Sequence, residues 1–177
     1  MEDRLILVDT RDRVIGSCGK AEAHAAPKLH RAFSVFLYRD GQMLLQRRAR
    51  DKYHSGGLWT NACCSHPRMG EELAEAVPRR MTEELGIAPA VEEKFSFVYC
   101  AKFRDDLWEY EYDHVLVGTC GETPAPNADE VEESRWVSFS ELRRELVERP
   151  ETFTAWFLIA APRVLDLLEM DKDSKKV

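Results

Sequence analysis

A chain of 177 residues is an ordinary size for one domain and long enough to bury a core without help from disulfides. With 32 acidic against 25 basic residues and a net charge of −7, it lacks the basic field of a general nucleic-acid or membrane-surface binder. An anionic ligand would therefore need a local cationic pocket set against the global charge. No apolar run approaches the roughly 18 residues of a membrane span, and the start MEDRLILVDT carries no basic-then-apolar export signal. A cytoplasmic protein is expected. The five cysteines (Cys18, Cys63, Cys64, Cys100, Cys120) are odd in number and form no CxxC pair, which favours thiols. Of these, Cys18, Cys63, Cys100 and Cys120 read as buried packing groups.

In chain order, Leu5–Val8 and Val14–Ser17 flank a polar turn and read as a hairpin. Ala32–Tyr38 and Met43–Gln46 form a stronger one, because Asp40-Gly41 between them tolerates positive φ. A basic, irregular stretch, Arg47–Ser55, ends at Gly56-Gly57 before a short strand, Leu58–Thr60. From Glu71 the spacing turns helical, with Leu73, Ala74, Val77, Met81 and Leu85 three or four apart and Gly86 as the stop. Pro78 lies inside this run and is expected to kink or shorten the helix near Ala74.

Two strands follow, Phe95–Phe103 and Leu107–Gly118, then a loop over Gly121–Asp129 and a strand over Val131–Val137. Ser138-Phe139-Ser140-Glu141 resembles a capping box opening a helix that Pro150 ends. A final helix is expected from about Thr152 to Leu168, bent at Pro162, with a frayed tail over residues 170–177. Hairpins interspersed with helices predict an α/β domain, a mixed sheet between helices, over residues 1–177.

Five side chains suit a divalent ion. Glu109 and Glu111 are two apart on a strand and so share one face, and His24, His30 and His66 supply imidazoles. Nitrogen-rich ligation favours Mn²⁺ or Zn²⁺ over Mg²⁺ there. His114 falls on the opposite face from the glutamates, and both it and His54 read as structural. Trp59 and Phe33 read as core.

The stretch Glu71…Arg79-Arg80-Met81-Thr82-Glu83-Glu84-Leu85-Gly86-Ile87 resembles a Nudix box, with Ser65 where the first Gly belongs and Arg80 in place of the first Glu of the Arg-Glu pair. A Nudix hydrolase of nucleoside diphosphate derivatives uses such glutamates to hold Mg²⁺. A cation at position 80 argues against hydrolysis. Further segments appear in order: His24…His30-Arg31-Ala32-Phe33-Ser34, Gln46-Arg47-Arg48-Ala49, Trp59-Thr60-Asn61-Ala62-Cys63-Cys64-Ser65-His66-Pro67 and Glu109-Tyr110-Glu111. Together they resemble the type I isopentenyl diphosphate isomerases, the Nudix branch that moves a double bond, over about Leu5 to Phe157.

That resemblance implies a Nudix-type α/β/α sandwich acting on a small-molecule diphosphate in isoprenoid biosynthesis. It implies Cys64, not Cys63, as the catalytic thiol, with Glu111 as the second proton-transfer group and Tyr99 assisting it. His24, His30, His66, Glu109 and Glu111 would hold one metal, and Glu84 with the Cys64 carbonyl a substrate-linked Mg²⁺. Lys20, Arg48, Lys52 and Arg80 would hold the diphosphate, and Trp156 would close over the substrate. Tyr53-His54-Ser55-Gly56 departs from the aromatic-Pro-Gly pattern of the family. The acidic surface and the lack of a long apolar stripe favour a monomer or weak homodimer.

Overall fold

In the computed structural model, which describes residues 4–174, nine strands build one branched sheet and four α-helices cover it. β1 (Arg4–Val8) and β2 (Val14–Gly19) form the first hairpin. The helix α1 (Lys20–Ala25) follows directly; six residues are too few to show a helical period in sequence.

β3 (His30–Arg39) and β4 (Gln42–Arg48) turn through Asp40 and Gly41, at φ of 47° and 75°, as the turn chemistry requires. They pair at Tyr38–Met43 and Arg39–Gln42, then part. β4 takes up β5 (Trp59–Thr60), while β3 takes up β6 (Cys63–Ser65). Backbone groups left by the split are thus satisfied by two short connectors, and a gap opens between β3 and β4.

β3 also runs parallel to β8 (Leu107–Thr119), from His30–Glu111 to Tyr38–Thr119, and β8 pairs antiparallel with β7 (Glu92–Arg104). β9 (Val131–Ser138) pairs with β4. The sheet is mixed, as expected.

Side chains of β3 alternate between two cores. Phe33, Val35 and Leu37 meet Ala76, Val77, Met81 and Leu85 of α2 (Leu73–Leu85). On the other face Phe36 joins Leu142 of α3 (Phe139–Glu148) and Phe157, Val164 and Leu165 of α4 (Ala155–Ser174). Each such buried side chain contributes about 1.5–3 kcal/mol.

Pro78 does not shorten its helix. α2 runs unbroken through Pro78, starting at Leu73 behind a reciprocal Glu72/Glu75 capping box and stopping at Gly86 in the left-handed region. Pro78 leaves the Ala74 carbonyl without its helical donor, a cost offset by the buried face of the helix. The last helix begins later than expected, after a 3₁₀ turn at Pro150–Thr152, and carries Pro162 inside it. It continues through Ser174, so residues 170–174 are helical; 175–177 lie outside the described residues. Ser138 caps α3, its Oγ accepting the Glu141 amide at 3.2 Å.

Candidate active site

β8 presents Glu109, Glu111 and Asp113 on one face and turns His114 to the other. There His114 joins Glu93 at 2.7 Å and Asp12 at 3.1 Å, a structural role as expected. His30 registers beside Glu111 across the β3/β8 pair, α1 brings His24, and His66 follows β6.

These groups converge. Ligand atoms of His24, His30, His66 and Glu109 lie within 4.8 Å of one another. His24 Nε2 is 3.0 Å from Glu109 Oε1, and His66 Nε2 is 2.8 Å from Glu111 Oε1. His30 Nε2 stands 3.5 Å from Glu109 and 3.7 Å from Glu111, while its Nδ1 faces the Lys28 carbonyl at 2.8 Å. That second contact fixes the ring and aims Nε2 at the carboxylates.

Both His24 nitrogens, His30 Nε2 and both Glu109 oxygens are buried without a hydrogen bond. Buried polar atoms are nearly always bonded, so these converging nitrogens and oxygens fit a divalent cation. The histidines and carboxylates also set one another's protonation. Glu109 is held well below the ordinary carboxylate range: burial pushes it up, but His24, His30 and His54 outweigh burial. Burial also opposes charge on His30, yet Glu109 and Glu111 push it up to about 10. His66 is held down to about 4, chiefly by burial.

His54 is not the bystander expected from sequence. Its Nε2 lies 2.5 Å from Glu109 Oε1, its ring stacks on Phe103 at 4.7 Å, and Trp156 stands edge-on at 5.9 Å. The departure from the aromatic-Pro-Gly pattern marks this position, but its contact with Glu109 depends on how the loop folds.

The proposed reaction groups flank β3, Cys64 on β6 and Glu111 on β8, with Ser34 paired to Cys64 and both on the glutamate face. The Tyr99 hydroxyl donates to Glu111 Oε2 at 2.6 Å. Burial pushes the Cys64 thiol up to about 12 despite Arg48, whose Nη1 donates to Sγ at 3.6 Å. Burial and Glu109 push Glu111 up, but His30 and His66 bring it below its ordinary value. The resulting pair is a protonated thiol and a carboxylate.

Trp-Thr-Asn explains itself as scaffold. Buried Asn61 donates through Nδ2 to the Val35 and Cys63 carbonyls at 3.1 and 2.6 Å. Its Oδ1 accepts from Thr60 at 2.8 Å and from Trp156 Nε1 at 3.2 Å. One amide thereby fixes both the Cys64 strand and the tryptophan.

A cavity of about 110 Å³ fills the gap left by the β3/β4 split. Cys64, Glu111, Tyr99 and Trp156 line it together with Lys20, Arg48, Lys52, Arg80 and Glu84. Arg48 also lies 5.4 Å over the Trp156 ring. Sequence reasoning missed Gln46, which binds Glu84 at 2.9 Å, and Glu130, 78 residues from its partner Lys52. Phe33 is core and also lines the cavity; Trp59 is half-buried, with Arg135 over its ring at 4.4 Å. Cys100 is exposed, not packed inside, because it points outward from β7.

The NUDIX domain family model matches residues 28–157. The chain is 46% identical over 166 residues to isopentenyl-diphosphate Delta-isomerase 2 of Aromatoleum aromaticum, covering 93% of this chain and 88% of that one. With the isopentenyl-diphosphate Delta-isomerase of Burkholderia multivorans it shares 49% identity, covering 89% and 90%. It belongs to the isopentenyl-diphosphate Delta-isomerases of the NUDIX family. The fold agrees with that of DR0079 from Deinococcus radiodurans, at a TM-score of 0.73 and 23% identity over 91% of this chain and 98% of the other.

Within this isomerase the Nudix box is largely structural. Arg79 clamps Glu71 at 2.6 and 2.8 Å, and Glu83 pairs with Arg79 and Arg80. Glu84 is the box glutamate that lines the cavity. Arg80, where a hydrolase has another carboxylate, reaches Glu84 at 2.6 Å and lines the same space. NUDIX enzymes use divalent metals, and the cluster of His24, His30, His66 and Glu109 could hold one. Among the described residues no helix is long and apolar enough to cross a membrane.

Proposed function

We propose that the chain converts isopentenyl diphosphate to dimethylallyl diphosphate, supplying isoprenoid biosynthesis, with Cys64 and Glu111 as the two proton-transfer groups. The carrying observation is that a thiol and a carboxylate line one cavity together with the cations Lys20, Arg48, Lys52 and Arg80.

The reaction adds a proton to the terminal alkene carbon and removes one from carbon 2, shifting the double bond by one position. It needs one acid and one base on either side of the substrate, and the reverse reaction exchanges their roles. Cys64 and Glu111 supply that pair, and Tyr99 steadies the carboxylate through its 2.6 Å hydrogen bond. The intervening tertiary cation must be kept from water. Trp156, 4% exposed, and Tyr99, 6% exposed, wall the cavity and offer ring faces to positive charge, worth about 0.5–2 kcal/mol.

The donors fit Mn²⁺ or Zn²⁺ at His24, His30, His66, Glu109 and Glu111, and Mg²⁺ at Glu84 with the Cys64 carbonyl; bound there, the ions would supply positive charge beside Glu111 and at the diphosphate. Arg48 and Arg80 add fixed charge that anchors phosphate oxygens without attacking them. The same reading has the protein working in the cytoplasm as a monomer or weak homodimer on a small-molecule substrate, bound to neither nucleic acid nor membrane. Incubation with isopentenyl diphosphate and Mg²⁺ is expected to yield acid-labile dimethylallyl diphosphate, and a chelator is expected to stop it. Release of phosphate instead would make the protein a hydrolase.

A further inference from the structure

Arg80 and Lys52 are not idle cations. Glu130, immediately before β9, accepts from Lys52 Nζ and lies 3.3 Å from Arg80 Nη2 through the same Oε2 atom. Its backbone is held: the amide donates to the Asn127 carbonyl at 2.9 Å, and its carbonyl accepts from Ala49 at 3.1 Å. The side chain is 23% exposed and lines both the reaction cavity and an adjoining one of about 210 Å³. Lys20, Lys52 and Arg80 are shared by the two linings, and Arg4, Arg68 and Arg79 are added in the second.

A carboxylate anchored at its backbone, partly exposed at its tip and paired to two cavity-lining cations is placed as an internal competitor. Tethered in this way, it acts at an effective concentration on the order of millimolar. We propose that Glu130 occupies the anion position at Lys52 and Arg80 and must be displaced by the incoming phosphate group, raising the affinity threshold for every anion. Weakly held cellular anions then fall below the threshold, while a metal-bound diphosphate exceeds it. The identity of the displacing ligand rests on the function proposed above; the competition itself does not.

The test is calorimetric titration of the folded, metal-loaded protein with inorganic diphosphate plus Mg²⁺, and separately with inorganic phosphate. Glu130→Gln is expected to tighten both about five- to tenfold. If Glu130 instead serves to position Lys52 and Arg80, the same variant weakens binding, which overturns the proposal, as does no change. Glu130→Asp keeps the charge but withdraws it by one methylene. It is expected to tighten binding at least twofold; a wild-type-like Asp variant beside a tight Gln variant shows a field effect without occupancy and also overturns the proposal. Melting curves confirm that both variants fold. Absence of isomerase activity alongside tightened diphosphate binding would sink the proposed function and leave this inference standing.

Discussion

Tyr99 Oη donates to Glu111 Oε2 at 2.6 Å while the other oxygen of Glu111 faces His66 at 2.8 Å. One carboxylate therefore bridges the histidine cluster and the buried phenol, one oxygen on each. Glu111→Gln is expected to lower kcat by roughly 10²–10⁴-fold, the usual contribution of a positioned acid or base. Tyr99→Phe removes a hydrogen bond to a charged group, about 1.5–3 kcal/mol, and is expected to lower kcat some 10–100-fold with a much smaller change in KM. Steady-state kinetics on both variants checks this; equal losses in KM and kcat for Tyr99→Phe would show a binding role instead.

The two adjacent cysteines make opposite predictions. Cys63 packs against α2 on the far face of the sheet, and Cys64 lines the cavity. Cys64→Ala is expected to abolish turnover and Cys63→Ala to keep most of it. Burial pushes the Cys64 thiol up to about 12, which leaves it almost wholly protonated at pH 8, and thiolate is the nucleophile. In metal-free protein at pH 8, iodoacetamide is thus expected to label exposed Cys100 well before Cys64, with Cys64 labelling rising as pH climbs towards 12. Peptide mapping that found Cys64 labelled first would refute this electrostatic reading.

Asn61 bonds four partners at once, two of them through Nδ2 and two through Oδ1. Asn61→Ala leaves buried carbonyls at Val35 and Cys63 without these donors. It is expected to cost about 2–4 kcal/mol in urea unfolding and to lower kcat through loss of the Trp156 and Cys64 positions. A full-strength enzyme in the Asn61→Ala background would remove the scaffold argument.

His54, 2.5 Å from Glu109, is expected to steady a metal-binding carboxylate. His54→Ala is expected to lose metal to a chelator at about tenfold lower concentration than wild type, and His54→Gln, which keeps a donor, to recover part of that loss. Metal analysis after dialysis reads the difference; unchanged retention in both variants would return His54 to a packing role.

The strands were legible because short-range patterns carried them, while most of the candidate site came through the family resemblance. Alternation placed Glu109 and Glu111 together, Asp40-Gly41 marked its turn, and Trp-Thr-Asn through His66-Pro67 is contiguous. What stayed hidden depends on distant chain segments. Glu130 meets Lys52 only after 78 residues of folding, and His54 reaches Glu109 from a loop with no periodicity. The Pro78 expectation erred by weighing a local cost of about 3 kcal/mol without the Glu72/Glu75 box and the buried Ala76–Leu85 face.

The most direct measurement is proton and deuterium NMR of isopentenyl diphosphate incubated with the metal-loaded protein in D₂O. Proton transfer through solvent-exchangeable Cys64 and Glu111 requires dimethylallyl diphosphate with solvent deuterium in the newly formed methyl group, and an intact diphosphate. Unchanged substrate from folded, metal-loaded protein, product without deuterium, or free phosphate would contradict it.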